Sequence, residues 1–280
     1  MRTNMTPSPQ IPSRTPEQLR NHYEVERRLA DTLRRAPRAE RPGIYARMYT
    51  ELFAKVPDHP RLVRRDDARM TRWRTQRLLR LLGRVLDRTS SVLEFGAGDC
   101  TLAFAICEHV RSVCAVDISN QIGPDRVIPP NFRHVTYDGY RLAVPDASID
   151  VVFSNDLIEH IHPDDIGLHF ANANRVLHPG GVYLFTTPHR FTGPHDVSRA
   201  FSDEPEGFHL KEWTFTELEP VMREAGFSSW TFFRFAKGIP VRQSVFAIEQ
   251  LERGIAPLAN GLRRRLGRIF VPGIIVCASK

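Results

Sequence analysis

Glu94, Gly96 and Gly98 form an E-x-G-x-G turn behind the short apolar run Val92-Leu93, with Phe95 between the acid and the first glycine. A buried strand, a tight glycine turn and a helical pattern read as the first strand–helix unit of a nucleotide-type fold. Gly96 allows a sharp turn, and Gly98 lets backbone N–H groups approach a ligand. A dinucleotide fingerprint needs glycine at 101, where the chain has Thr101. Glu94 suits a cationic ligand and would repel a pyrophosphate. Asp117 follows 23 positions later, at the end of the next strand, where a carboxylate can accept both ribose hydroxyls of a nucleoside. Asp138 ends a third strand and can accept from an adenine amino group, and Asn155-Asp156 ends a fourth. Histidines 160, 189, 195 and 209 fall near the same crevice, and each can act as a base or bind an acidic group.

Those residues need a sheet to hold them. Strands are expected at 113–116, 132–137, 149–153 and 182–186 after the one at Val92, with two more at 229–235 and 274–278. A helix over about 164–177 leads to the turn His178-Pro179-Gly180-Gly181, and Thr214 with Glu217 opens another that Gly226 closes. Helices between parallel strands predict a doubly wound α/β sheet with its ligands at the strands' C-terminal ends. Ahead of it the chain divides into a loose tail, 1–14, and a helical extension, 15–88, with the cofactor-binding domain at 89–280. Thr15-Pro16-Glu17-Gln18 caps a helix to about Arg35, and further helices are expected at 43–55 and 66–86. Tyr45, Tyr49 and Trp73 can line the pocket or pack in the core.

Composition narrows the function. The chain has 280 residues, 25% of them charged, and a net charge of +7. Residues 1–90 hold 21 Lys+Arg against 10 Asp+Glu, so the basicity belongs to the extension. Such a segment can touch nucleic acid or an anionic membrane, and a solvated arginine-rich face is the plainer reading. The basic stretch 261–268 can be an interface, a membrane contact or a solvated face. No apolar run is long enough to span a bilayer, and the N-terminus lacks a secretory h-region. Four cysteines without a C-x-x-C pair read as buried thiols in a reduced, cytoplasmic protein.

The motifs E-x-G-x-G at 94–98, VD at 116–117, DG at 138–139, DASIDVVFSNDLIEH at 146–160 and LHPGGVYLFTTP at 177–188 resemble those of class I S-adenosylmethionine (SAM) dependent methyltransferases. The match is close over 91–190 and loose beyond. Segments 190–199 and 207–214 are similar to bacterial small-molecule members. The resemblance implies a Rossmann-like, seven-stranded mixed sheet with helices on both faces, its last two strands an antiparallel hairpin. It also implies that Glu94, Phe95, Gly96, Ala97 and Gly98 surround the methionine part of SAM. Asp117 and Ile118 would take the ribose, Asp138 and Gly139 the adenine, and Asn155 and Asp156 the reaction side. Cys100 stands where the loop's third glycine is expected.

Methyl transfer needs alignment more than acid–base help, because the sulfonium is already electrophilic. An acceptor hydroxyl or acidic carbon adds the need for a base, and His160 is placed for it. Asp156, Glu159 and His160 at i, i+3 and i+4 would share a helix face. With His209 they resemble the acid-x-x-Glu-His set and later His that hold a divalent ion in some O-methyltransferases. A small-molecule or glycan-type acceptor is expected. The alternatives are RNA, reached through the basic N-terminus, and a non-catalytic scaffold. Ser154-Asn155-Asp156-Leu157 differs from the N-P-P-aromatic clamp for flipped bases, which argues against nucleic acid. Oligomeric state and acceptor atom are not legible.

Overall fold

A computed structural model describes residues 14–65 and 68–280. The expected tail at 1–14 lies outside the described residues except for Arg14, whose guanidinium is held by Asp58 at 2.7 Å.

Four helices precede the sheet: α1 (Pro16–Arg35), α2 (Arg41–Lys55), α3 (Pro60–Arg65) and α4 (Ala68–Leu82). The capping box at the start of α1 forms as expected, with Gln18 N–H donating to Thr15 Oγ1 and Thr15 N–H to Gln18 Oε1. The helix expected over 66–86 is α4, which ends at Leu82; α3, just before it, was not expected, and residues 66–67 lie outside the described residues. Leu29, Leu33, Ile44, Met48 and Leu52 pack α1 on α2, and Phe208 and Leu210 from the far end of the chain complete this third core.

The sheet has eight strands in the order β3-β2-β1-β4-β5-β8-β6-β7. These are β1 (Ser91–Phe95), β2 (Ser112–Asp117), β3 (Phe132–Thr136), β4 (Ile149–Asn155), β5 (Leu177–Thr187), β6 (Ser229–Ala236), β7 (Ile239–Gln243) and β8 (Ile274–Ser279). The first five are parallel, and β8 runs antiparallel between β5 and β6. The eighth strand is β7, which the sequence reading passed over. Lys237 and Gly238, at φ +50° and +81°, make the two-residue turn of a β6–β7 hairpin. The two strands expected to close the sheet, β6 and β8, do pair antiparallel. Between them the chain also forms α8 (Val245–Ile255) and α9 (Asn260–Phe270).

Only some of the crossovers are helical. α5 (Thr101–Cys107) joins β1 to β2 and α6 (Ile166–Val176) joins β4 to β5, whereas the β2–β3 and β3–β4 connections are irregular. The expected turn at 178–181 is a register shift inside β5, between the pairs Ile149–Leu177 and Val151–Val182. Alternation along β1 sends Leu93 and Phe95 to the face covered by α6 and α7 (Phe215–Glu224), and Val92 to the face covered by α4 and α5. The Thr214–Glu217 capping box and Gly226, at φ +95°, bound α7 as expected. All four cysteines are free and buried.

Candidate active site

Two walls meet at the C-terminal ends of β1, β2 and β4, around a cavity of about 1080 Å³. The first wall is the glycine loop. Gly96 N–H donates to Val116 O at 2.8 Å and Gly98 N–H to Asp117 Oδ2 at 2.8 Å, so the loop is tied to the end of β2. Asp117 Oδ1 accepts from Ser119 N–H at 3.2 Å. Gly98 has φ +56°, and a Cβ there would lie 3.2 Å from Nη2 of Arg61, which reaches over the loop from α3. Cys100 takes a left-handed conformation, φ 59°, at the place where a third glycine was expected. Its buried thiol is pushed up to about 12 by burial and by the nearby acids, Glu94 first.

Glu94 lies beneath this loop with Oε2 buried and unpartnered. Burial, then the charges of Asp99 and Asp117, pushes its carboxyl up to about 8. A buried carboxyl with an unpartnered oxygen suits a cationic group. Phe95, Gly96, Ala97, Ile118 and Gly139 line the same cavity, as do Asn155 and Asp156. Asp138 does not. Its side chain is exposed, and Oδ1 caps the following turn by accepting from Tyr140 and Arg141 N–H at 2.8 and 2.7 Å. Tyr45 and Tyr49 line the cavity, whereas Trp73 is 44% exposed on the outer surface.

The second wall carries Glu159, His160 and His209, with one ligand-type atom from each within 4.8 Å of the others. The helix face expected for Asp156, Glu159 and His160 does not form. Asp156 turns left-handed, φ 49°, and Ile158–His160 is a single 3-10 turn, so Asp156 stays exposed while Glu159 is fully buried. Asp156 instead meets Thr186 and Asn155, through Thr186 Oγ1 and Asn155 Nδ2. His160 donates Nδ1–H to Phe208 O at 2.8 Å, and His209 Nδ1 faces Glu212 Oε1 at 2.7 Å. Nε2 of both rings is thereby left for the cavity. Glu159 Oε2 accepts from Thr187 Oγ1 at 2.9 Å, and Oε1 has no partner.

Electrostatics divides this trio. Burial and then the Asp156 charge push Glu159 up to about 8, and burial with the His209 charge pushes His160 down to about 3. Burial opposes the His209 cation, yet the Glu212 hydrogen bond and the Glu159 charge raise it to about 9. Glu212 is itself held down to about 2: burial opposes its charge, and His195 and His209 outweigh that. His195 lines the cavity, on Glu212 Oε2 at 2.9 Å. His189 does not, being buried against Glu252 at 2.8 Å, where it serves the fold.

The sequence reading missed a third group. His22, Glu26 and His59 from the extension also face the cavity and also bring three ligand-type atoms within 4.8 Å. Glu26 Oε1 lies 2.8 Å from His22 Nε2 and 3.5 Å from His59 Nε2, and Oε2 accepts from Phe208 N–H at 3.3 Å. The i,i+4 spacing of His22 and Glu26 was a visible signal; His59 carried none. Burial opposes the Glu26 charge, but the two histidines hold it down to about 2. Arg34 braces the same roof. Its Nη1 donates to Glu206 O at 3.0 Å, and Nη2 lies 3.2–3.3 Å from the carbonyls of Pro205, Gly207 and His209.

Comparison with known proteins bears on this arrangement. The profile of a family described as "Methyltransferase domain" matches residues 51–231. A probable SAM-dependent methyltransferase of Mycolicibacterium smegmatis is 34% identical over 139 residues, 49% of this chain and 51% of that protein. The chain thus spans about half the length of the curated relatives it matches. Among solved structures, a chain from the Haloferax volcanii complex of the Trm112 methyltransferase activator with a methyltransferase superposes with TM-score 0.54 at 15% identity, covering 77% of this chain and 93% of that one. A SAM-dependent methyltransferase of Archaeoglobus fulgidus gives 0.51 at 20% identity, covering 75% and 94%. At those identities the likeness is one of fold. With the profile covering well over half its length, this chain belongs to the methyltransferase-domain family, on the class I SAM-dependent fold.

Proposed function

We propose that this protein transfers the methyl group of SAM to a small-molecule or glycan-type acceptor seated beneath the roof formed by residues 205–210. The observation that carries this is the meeting of two walls in one cavity: a glycine loop tied to Asp117, and a histidine–glutamate trio across from it. The unpartnered Oε2 of Glu94 suits the cofactor's ammonium, and the Arg61 guanidinium over Gly98 suits its carboxylate. Asp117 and Ile118 take the ribose, with Gly139 toward the adenine. Asn155 and Asp156 border the reacting end.

In the transfer the methyl–sulfur bond breaks as a bond to the acceptor atom forms, leaving S-adenosylhomocysteine. The residues' work is alignment and exclusion of water. Nε2 of neutral His160 can accept the acceptor's proton, while protonated His209, paired with Glu212, can hold an anionic group of the acceptor. His160 is a weak base for that task, buried as it is.

A second reading is favoured by the same atoms. Both rings anchor Nδ1 on an acceptor, and Glu159 Oε1 is orphaned, which is how a metal-binding histidine pair and carboxylate are built. Glu159, His160 and His209 would hold a divalent cation, whose charge would lower the pKa of an acceptor hydroxyl. Activity lost in chelator and regained with Mg²⁺ or Mn²⁺ supports this; full activity in chelator ends it.

Calorimetric titration with S-adenosylhomocysteine tests the cofactor assignment, with NADH as control. Wild type is expected to bind the adduct, and Asp117→Ala to weaken it by about 1.5–3 kcal/mol, the scale of hydrogen bonds to a charged group. Absence of binding by wild type would leave the scaffold reading.

A further inference from the structure

Away from the cavity, the sheet edge at the β6–β7 hairpin is basic and apolar together, with α4 against one side of the hairpin and α9 against the other. α4 carries five arginines and no acid, the β6–β7 hairpin carries Arg234, Lys237 and Arg242 and no acid, and α9 carries four arginines and no acid. These elements touch. The Arg77 guanidinium stacks on Phe235 at 4.2 Å and on Trp73 at 5.7 Å, Arg84 donates to Pro240 O, and Arg234 donates to Ile269 O at 2.8 Å. Large apolar side chains stand out between the charges: Phe246 is 68% exposed, Ile239 56%, Ile269 50%, and Val241 and Phe270 41% each. Two of the α9 arginines are spent inward, Arg264 on Asp203 and Arg263 over Phe191, whereas Arg265 and Arg268 face outward beside Ile269. The acids of neighbouring α8 are Glu249, 4.0 Å from Arg253, and Glu252, buried on His189.

We propose that this face docks on the surface of an anionic lipid bilayer. Cations interleaved with protruding aliphatic and aromatic side chains match the two layers of such a surface, charged headgroups above and acyl chains below. A nucleic acid would reward the arginines but gain nothing from burying Ile239, Val241 and Ile269. A second copy would set like charges against each other. No helix among the described residues is long and apolar enough to cross a membrane, so the contact is one of lying on the surface. Thr71, Arg74, Thr75 and Leu78 of α4 line the cavity, so one helix serves both the docking face and the cavity wall. The docking itself does not rest on the proposed reaction.

Flotation of the full chain with phosphatidylcholine vesicles, with and without phosphatidylglycerol, tests this. Wild type is expected to float only with the anionic vesicles, and less so at high salt. The pairs Arg242→Glu/Arg268→Glu and Ile239→Ser/Phe246→Ser should each lower the bound fraction roughly tenfold. Unchanged thermal melting shows that the variants are folded, and Phe246→Ser alone serves should a pair fail to fold. No flotation of wild type, or flotation indifferent to both pairs, overturns the proposal. So does RNA binding by wild type, without flotation, that Arg242→Glu/Arg268→Glu abolishes and Ile239→Ser/Phe246→Ser leaves intact.

Discussion

Two Glu–His–His groups face one cavity, His22–Glu26–His59 and Glu159–His160–His209, and the position of their protons sets them apart. Arg14 lies 2.7 Å from His22 Nδ1, and Arg61 N–H donates to His59 Nδ1 at 3.1 Å. A guanidinium and an amide can only donate, so both Nδ1 atoms accept and each ring carries its proton on Nε2, aimed at Glu26. That group is closed: both Glu26 oxygens already have a donor within 3.5 Å. In the other trio the Nδ1 atoms face acceptors, and Nε2 of each ring and one glutamate oxygen are left open. The same three residue types therefore make a structural clasp in one wall and a reactive surface in the other. What differs is only whether the neighbours of Nδ1 give or take.

A metal ion separates the two groups most visibly. Mn²⁺ titrated into the full protein and followed by electron paramagnetic resonance should bind at the open trio. Glu159→Ala or His209→Ala should remove that site, and His22→Ala should leave it. Binding lost with His22→Ala instead would invert the assignment. Next in size, Glu26→Ala should destabilise the protein by about 3 kcal/mol in urea unfolding, since it strips a buried charge from its partners. The wild-type advantage over Glu26→Gln has a fixed pH sense. Glu26 is held to about 2 when folded, below its ordinary 4.5, so its contribution is full above pH 4.5 and fades as pH falls toward 2. A gap that widens on acidification contradicts the clasp.

Smaller effects sharpen the boundary between the walls. Arg61 joins the closed group through its backbone and the glycine loop through its side chain. Arg61→Met should weaken S-adenosylhomocysteine by about 1 kcal/mol, a partly exposed ion pair's scale, and leave 5′-methylthioadenosine, which lacks the carboxylate, unchanged. Equal losses for both ligands would mean that Arg61 only shapes the loop. Glu94 is a third buried acid, with no histidine at all. Pushed up to about 8, it is protonated near pH 7, and an arriving ammonium favours the carboxylate. Binding should therefore release most of one proton at pH 7 and progressively less as pH rises past 8, read from calorimetry in buffers of different ionisation enthalpy. Buffer-independent heats would place the ammonium elsewhere.

The parallel half of the sheet was legible because its signals are local. Val92 to Phe95 alternates toward two cores, and the glycine turn that follows allows few other conformations. β7 escaped notice because Ile239–Gln243 contains a proline and two polar residues, and only the two-residue turn before it marks a hairpin. The acids at strand ends were legible as positions and less so as roles. Asp117 and Glu94 reach the cavity, whereas Asp138 is taken up in capping its own turn. A helical period misjudged Asp156, since three residues of 3-10 turn cannot carry an i,i+4 face. The closed group was only half legible. His22 and Glu26 share an i,i+4 face of α1, but His59 meets them only when α1 and the start of α3 are folded together, and no spacing records that.

Part of the extension's charge is spent on bracing the fold. Arg14, Arg34 and Arg41 end on Asp58, on the carbonyls of 205–209 and on Asp164 and Asp165. Of these, the Arg34 fork ties α1 to the site. It gathers four carbonyls of the roof on one guanidinium, and the roof holds His209 and, through Phe208 O, His160. One guanidinium on α1 thus supports both rings of the reacting trio, and whatever loosens it loosens His209 and His160 together.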